Sequence, residues 1–176
     1  MIPLLFQKRI QHNDQRVAVL IDVQNMYHSA KHLFRARVNF QEVLKEAVAG
    51  RRLVRAIGYV VESETAEEKS FFEALLKQGI ELRSKDLQVF YGGLKKADWD
   101  VGITLDAVNL SSSVDVIVLI SGDGDFIPLV DYLKNRGKIV EVVAFAKSAS
   151  SKLQHEAHNF VDLGSDPKRF LLKSRN

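Results

Sequence analysis

The chain has 176 residues, 46% of them apolar, with no cysteine and a formal net charge of +3. That length fits one domain with a real core, and the missing thiols exclude disulfides and thiolate metal centres. The mildly basic balance permits a nucleic-acid partner without requiring one.

The opening MIPLLFQKRI is broken by Gln7, Lys8 and Arg9. It therefore reads as neither a signal peptide nor a membrane span, and no later apolar run is long enough to cross a bilayer. A cytoplasmic protein with no membrane partner is expected. Residues 1–15 show no period and contain Pro3, Asn13 and Asp14, so they read as an extended arm. Residues 17–21, VAVLI, form a continuous apolar run, the mark of a strand buried on both faces, and the run ends at Asp22. A helix is expected over 25–34. A more amphipathic one covers 40–48, with Phe40, Val43, Leu44, Ala47 and Val48 at helical spacing and Gly50 as its stop. A strand at 53–61 precedes an acid-first helix at 66–78, which turns Phe71, Phe72, Leu75 and Leu76 inward and ends at Gly79. Short strand-like pieces at 80–83 and 87–91 lead to a turn at Gly92 and Gly93. The stretch KKADWDVGITLD, 95–106, enters a helix that runs to Leu110, with Val101, Leu105 and Val108 on one apolar stripe.

Residues 116–121, VIVLIS, are a second unbroken apolar run, followed by Gly122 and by Asp123 and Asp125 on either side of Gly124. Helix 126–136 carries Pro128 in its first turn, where proline is tolerated, and stops at Gly137. A buried strand at 139–145, a helix at 150–159 and a short strand at 160–163 follow. Residues 165–176, with Lys168, Arg169, Lys173 and Arg175, read as a basic tail. Strands alternating with helices give an α/β fold, a three-layer α/β/α sandwich around a mostly parallel central sheet, formed by one domain over 16–164.

Taken singly, each acid has a structural explanation. Asp125 stands where a helix N-cap belongs, and Asp22 could cap the helix near Asn25. Asp100 suits the first turn of its helix, and Asp98 just before it reads as the cap. Asp106 interrupts an apolar pattern inside the same helix. It lies six residues from Asp100, about 240° around the axis, so the two do not share a face. Asp100 is preferred for a site because it is nearer the helix start facing the strand ends. Taken together, these explanations weaken. Ligands of open α/β sheets collect at the carboxyl ends of strands. Asp22 and Asp123 both end buried strands, and acids gathered there repel one another unless a cation neutralises them. Magnesium suits oxygen donors of this kind.

The stretches VAVLIDVQNMY, KKADWDVGITLDA and SGDGDFIPLVDYLKNRGKIVEVVAF resemble the three signature blocks of the NYN domain. More narrowly they resemble its bacterial LabA-like branch within the PIN-like nuclease superfamily, over residues 17–163. The resemblance implies a PIN-like fold and metal-dependent cleavage of RNA. Residue by residue, the first-block acid is Asp22 with Asn25 as its partner. The middle-block acid is Asp100, with Asp106 the second acid of that block. The last block supplies Asp123 and Asp125, preceded by Ser121.

On that basis Asp22, Asp100 and Asp123 would hold Mg2+ or Mn2+, with Asp125 as a further ligand or water-positioning group. Asn25 would orient a carboxylate or touch substrate, and Asp106 and Ser121 would stand behind the ligands. Lys95 and Lys96 are expected to touch phosphate, and Trp99 is read as a core anchor rather than a base-stacking platform. Arg51, Arg52 and Arg55 form a second basic group at the other end of the sheet. The histidines at 28, 32, 155 and 158 show no ligand spacing. Single-stranded RNA is the expected partner, and pairing into a homodimer is a further expectation of the resemblance. The rival is a non-catalytic RNA- or protein-binding module of the same fold. A phosphatase of the DxDx[TV] type is disfavoured by the segment Asp22-Val23-Gln24-Asn25, and no phosphate-binding GxxxxGK[ST] loop exists.

Overall fold

A computed structural model describes residues 11–173 apart from 64, 87, 90, 92–94 and 97, and for 88, 89, 95 and 96 it describes the backbone alone. Most of the arm at 1–15 and the turn at Gly92 and Gly93 lie outside the described residues. The chain opens with β1 (Arg16–Asp22), α1 (Val23–Phe34), β2 (Arg37–Val38), α2 (Phe40–Val48) and β3 (Arg52–Glu62). It continues with α3 (Ala66–Lys77), β4 (Glu81–Asp86), β5 (Gln88–Val89), β6 (Lys95–Lys96) and α4 (Asp100–Ser111). Then come β7 (Val116–Ile120), α5 (Ile127–Asn135), β8 (Ile139–Ala144), α6 (Ser151–Glu156), β9 (Asn159–Asp162), α7 (Pro167–Phe170) and β10 (Leu171–Leu172).

Six strands form one sheet in the order β4-β3-β1-β7-β8-β9, and every pairing in it is parallel. The unbroken apolar runs explain why β1 and β7 sit at its centre. Val17, Val19 and Ile21 of β1, with Val116, Val118 and Ile120 of β7, face a core shared with α1, α2 and α3. Ala18 and Leu20, with Ile117 and Leu119, face the opposite core, built with α4, α5 and α6. Successive strand residues point to opposite faces, so both sets must be apolar when helices cover both. The three-layer α/β/α sandwich expected from the sequence is the fold observed. Strand order reverses between β1 and β7: from β1 the chain builds outward through β3 and β4, from β7 through β8 and β9. Their carboxyl ends therefore frame a crevice of the kind where ligands bind in open α/β sheets.

Three expectations are corrected. The α4 stripe of Val101, Leu105 and Val108 is not the buried one: Val101 and Leu105 are 71% and 59% exposed, while Ile103, Ala107 and Ser111 are buried. This helix is apolar around most of its circumference, so periodicity leaves the buried face ambiguous and packing on the sheet selects it. Leu76 likewise points outward, leaving Leu75 as the buried residue of α3. The basic tail is folded as far as Leu172: β10 pairs antiparallel with β2, and Phe170 is buried. Its Arg169 is committed to Glu42 at 2.9 Å and Glu46 at 2.7 Å on α2. Phe170→Ala is expected to cost about 3 kcal/mol through lost burial and the cavity left behind, read from the midpoint of urea unfolding.

Arg51, expected in a basic group, is instead an interior residue. It donates to Glu141 from both terminal nitrogens at 3.2 and 2.8 Å. The same guanidinium satisfies the carbonyls of Ala47 and Val48 at the end of α2, and the Gln15 side chain. Arg55 is paired with Glu81. Ring nitrogen Nδ1 of His158 accepts the Val140 N–H at 3.0 Å, and α6 ends before it at Glu156.

Candidate metal centre

Asp22 is the last residue of β1 and also the cap of α1. Its Oδ1 accepts the Asn25 N–H at 3.1 Å, and its Oδ2 accepts the Ser121 hydroxyl at 3.2 Å. Ser121, fully buried just after β7, also accepts the Asp123 N–H at 3.2 Å. The Asn25 side-chain oxygen accepts the Gly122 N–H at 3.0 Å. These bonds tie the end of β1, the first turn of α1 and the loop after β7 into one unit. Asn25 therefore positions the loop through its side-chain oxygen; among the described residues its amide nitrogen makes no observed contact to a carboxylate. Gly122 is required by a close approach, since a Cβ there would lie 2.9 Å from the Ala149 backbone. The Ser150 N–H donates to the Gly122 carbonyl at 2.9 Å and holds the two loops together.

Asp123 caps the short 3-10 turn Gly124–Phe126 by accepting the Asp125 N–H at 2.9 Å. The capping role expected of Asp125 thus belongs to Asp123, and Asp125 itself is exposed. Asp98 does not cap α4 either: Trp99 occupies the N-cap position, with no side-chain cap bond. The Trp99 indole donates to the Val60 carbonyl at 2.9 Å and packs on Tyr59 with ring centroids 5.3 Å apart. Gly102 makes room for this ring, because a Cβ there would meet it at 2.6 Å. Trp99 is the anchor that fixes the start of α4, and with it Asp100.

Asp100, Asp123 and Asp125 each bring a carboxylate oxygen to within 4.8 Å of the other two. Among the described residues no lysine or arginine stands within 4.0 Å of these three or of Asp22. By contrast, Asp115 is held down to about 2 by Arg16. At the site the electrostatics run the other way. Burial, then the charges of Asp123, Asp98, Asp22 and Asp125, push Asp100 up to about 6. Burial also raises Asp22, against the pull of its hydrogen bonds from Asn25 and Ser121, and Asp123 and Asp98 add to the rise. A set of oxygen-only donors without a basic partner is the donor chemistry of a hard divalent cation, so these residues fit Mg2+ or Mn2+. Asp22 stands beside the triad, with each of its oxygens already accepting a hydrogen bond.

Asp106 is not part of this group. Its Oδ2 accepts the Tyr59 hydroxyl at 2.6 Å and pairs with Arg83 at 3.0 Å, on the far side of α4 as the 3.6-residue period requires. Burial and this acceptor push the Tyr59 phenol up. Lys95 and Lys96 pair with β5 in a two-stranded ribbon, and their side chains lie outside the described residues. The Asp98 charge adds to the rise of both Asp22 and Asp100, so the residue that the spacing Asp98-Trp99-Asp100 suggests as a cap acts on the site through its charge instead.

A carboxyl whose folded value lies above its unfolded value weakens the fold as pH rises. Asp100 contributes fully below about pH 4 and loses that contribution by about pH 6. Without divalent metal, Asp100→Asn is therefore expected to raise Tm by about 3 °C at about pH 7.5, corresponding to about 1 kcal/mol after discounting for solvent screening. The gain should vanish at about pH 4, where the wild-type carboxyl is already protonated. Thermal melts at the two pH values in chelator check it.

A doubly covered parallel sheet, with carboxylates clustered beside the carboxyl ends of its two central strands, defines an α/β protein with an acidic crevice. The NYN domain model matches residues 16–164, and the chain belongs to this family, a PIN-like family of nuclease type. It is 27% identical over 170 residues to the low amplitude and bright protein LabA of Synechococcus elongatus, covering 90% of this chain and 89% of that one. It is 28% identical over 160 residues to an uncharacterized protein of Methanocaldococcus jannaschii, covering 90% of this chain but 59% of that longer protein. A crystal structure of a protein of unknown function from Vibrio parahaemolyticus is similar at a TM-score of 0.84 and 34% identity, over 92% of this chain and 99% of that one.

Proposed function

We propose that this protein is a metal-dependent ribonuclease that hydrolyses phosphodiester bonds of single-stranded RNA. The observation that carries the reading is the convergence of Asp100, Asp123 and Asp125 without a basic partner among the described residues. Such repulsion weakens a fold, and a bound cation is what makes it useful. Asp100, Asp123 and Asp125 would hold Mg2+ or Mn2+, with Asp22 beside them. The cation supplies charge neutralisation for the phosphodiester and a more acidic attacking water. Asp22, fixed by Asn25 and Ser121, places a carboxyl group next to the triad and orients the Ser121 hydroxyl. Ser121 and Asn25 set the loop that carries Asp123 and Asp125. Water attack on phosphorus with departure of the 3′ oxygen leaves a 5′-phosphate and a 3′-hydroxyl.

The test is incubation of labelled single-stranded RNA with the protein, with and without Mg2+ or Mn2+, and identification of the product ends. Cleavage that requires the cation and leaves 5′-phosphate supports the reading. Binding without cleavage under either metal assigns the chain to the non-catalytic rival.

A further inference from the structure

The acids sit at the head of a second feature that the catalytic reading leaves unused. A cavity of about 990 Å³ runs along α1 between that helix, the end of β3 and α3. Its walls include Val23 and Gln24, directly after Asp22, and Val60, whose carbonyl holds the Trp99 indole before Asp100. The head of the groove therefore lies at the first turn of α1, the turn that Asp22 caps.

Its two walls differ in chemistry. Tyr27 and Lys31 lie one turn apart on one face of α1, Arg35 follows at its left-handed C-cap, and Arg37 continues on β2. The side chains of all four are exposed, and Tyr27 shows 46% of its surface. Among the described residues no carboxylate lies within 4.0 Å of Lys31, Arg35 or Arg37. The Lys31 ammonium stands 5.6 Å from the Tyr27 ring centre. The facing wall offers Phe71 and Phe72 from α3, with Glu62 and Glu67 beside them. Glu68 is occupied by the Ser63 backbone N–H and hydroxyl.

We infer that this groove is the track on which single-stranded RNA lies as it leaves the acid cluster. Phosphates run along the α1 wall against Lys31, Arg35 and Arg37, and a base stacks on Tyr27. The inference rests on the ribonuclease reading and names the path of its substrate. A cationic groove with an exposed aromatic ring is the recurring way a protein follows single-stranded nucleic acid. The acids on the α3 wall repel phosphate and so orient the strand with its bases toward Phe71 and Phe72. From Gln24 to Phe34 the helix covers about 15 Å at its ordinary rise, enough for a few nucleotides beyond the cleavage point.

Binding measured in EDTA separates this inference from hydrolysis, because it requires no turnover. The probe is a fluorescent oligouridine of about twelve nucleotides, followed by anisotropy across a salt series. For Lys31→Glu with Arg35→Glu, affinity should fall at least about tenfold, and the salt slope should drop by about 1.4 for two lost phosphate contacts. Tyr27→Ala should weaken binding about tenfold with the slope unchanged, and Tyr27→Phe should restore it. Lys31→Arg with Arg35→Lys, which keeps both charges, should bind as the wild type does and so controls for folding. Wild-type affinity and slope in the double glutamate variant would overturn the inference, even if the protein cleaves RNA. Equal competition by an acidic polyglutamate peptide would also overturn it, in favour of a protein-docking surface. Groove-dependent binding with no cleavage under any metal would leave the track standing and remove the nuclease.

Discussion

Asp123→Asn is expected to lower metal-dependent cleavage of single-stranded RNA at least about 100-fold while leaving the protein folded. The substitution separates two jobs done by one side chain. The amide oxygen of asparagine can still accept the Asp125 N–H and cap the turn, as the carboxylate does at 2.9 Å. The negative charge is gone, and with it a donor of the triad and part of the repulsion that raises Asp100. A large loss of rate with an unchanged or higher Tm in chelator is therefore the signature of a site held for charge rather than for stability. Mn2+ added to the wild type should raise its Tm by mass action, and the variant should lose most of that rise. Single-turnover cleavage and melts with and without Mn2+ check both parts. If the variant cleaves as the wild type does, the acid cluster is not the catalytic centre.

Arg51→Ala is expected to destabilise the fold by about 4 kcal/mol and lower Tm by about 10 °C, the largest stability effect of a single change in this chain. The Arg51 and Glu141 side chains are 1% and 3% exposed, so removing Arg51 takes two charge-assisted hydrogen bonds from a buried carboxylate. The loss also removes the donor that Arg51 supplies to the carbonyls of Ala47 and Val48 at the end of α2. Exchanging the pair for apolar groups of similar volume, Arg51→Met with Glu141→Leu, should recover most of the stability, because both desolvated charges leave together. Denaturant unfolding of the two single variants and the double variant closes the cycle. Additive losses in the double variant would show that Arg51 acts through the α2 carbonyls and not through Glu141.

The sequence by itself was enough for the layered fold and for the aspartates that follow its two central strands. Runs such as VAVLI and VIVLI can only be strands covered on both faces, and each visibly hands an aspartate to its carboxyl end. Helix boundaries were equally plain where a cap and a stop flank an amphipathic pattern, as in α2. What sequence could not decide was direction and partnership. The apolar residues of α4 surround the helix, so only contact with the sheet decided that Ile103 and Ala107 go in while Val101 and Leu105 stay out. Asp106 lies away from the site expected of it, and Asp98 does not make the cap expected of it, for the same reason. A side chain's function depends on what stands opposite it, and Tyr59 with Arg83 claims Asp106 from elements distant in the chain. Arg51 could not be seen as an interior residue until Glu141, ninety positions away, was brought against it. Local periodicity is encoded in neighbours along the chain, whereas pairing, burial of charge and the groove along α1 arise only when parallel strands bring separate segments side by side.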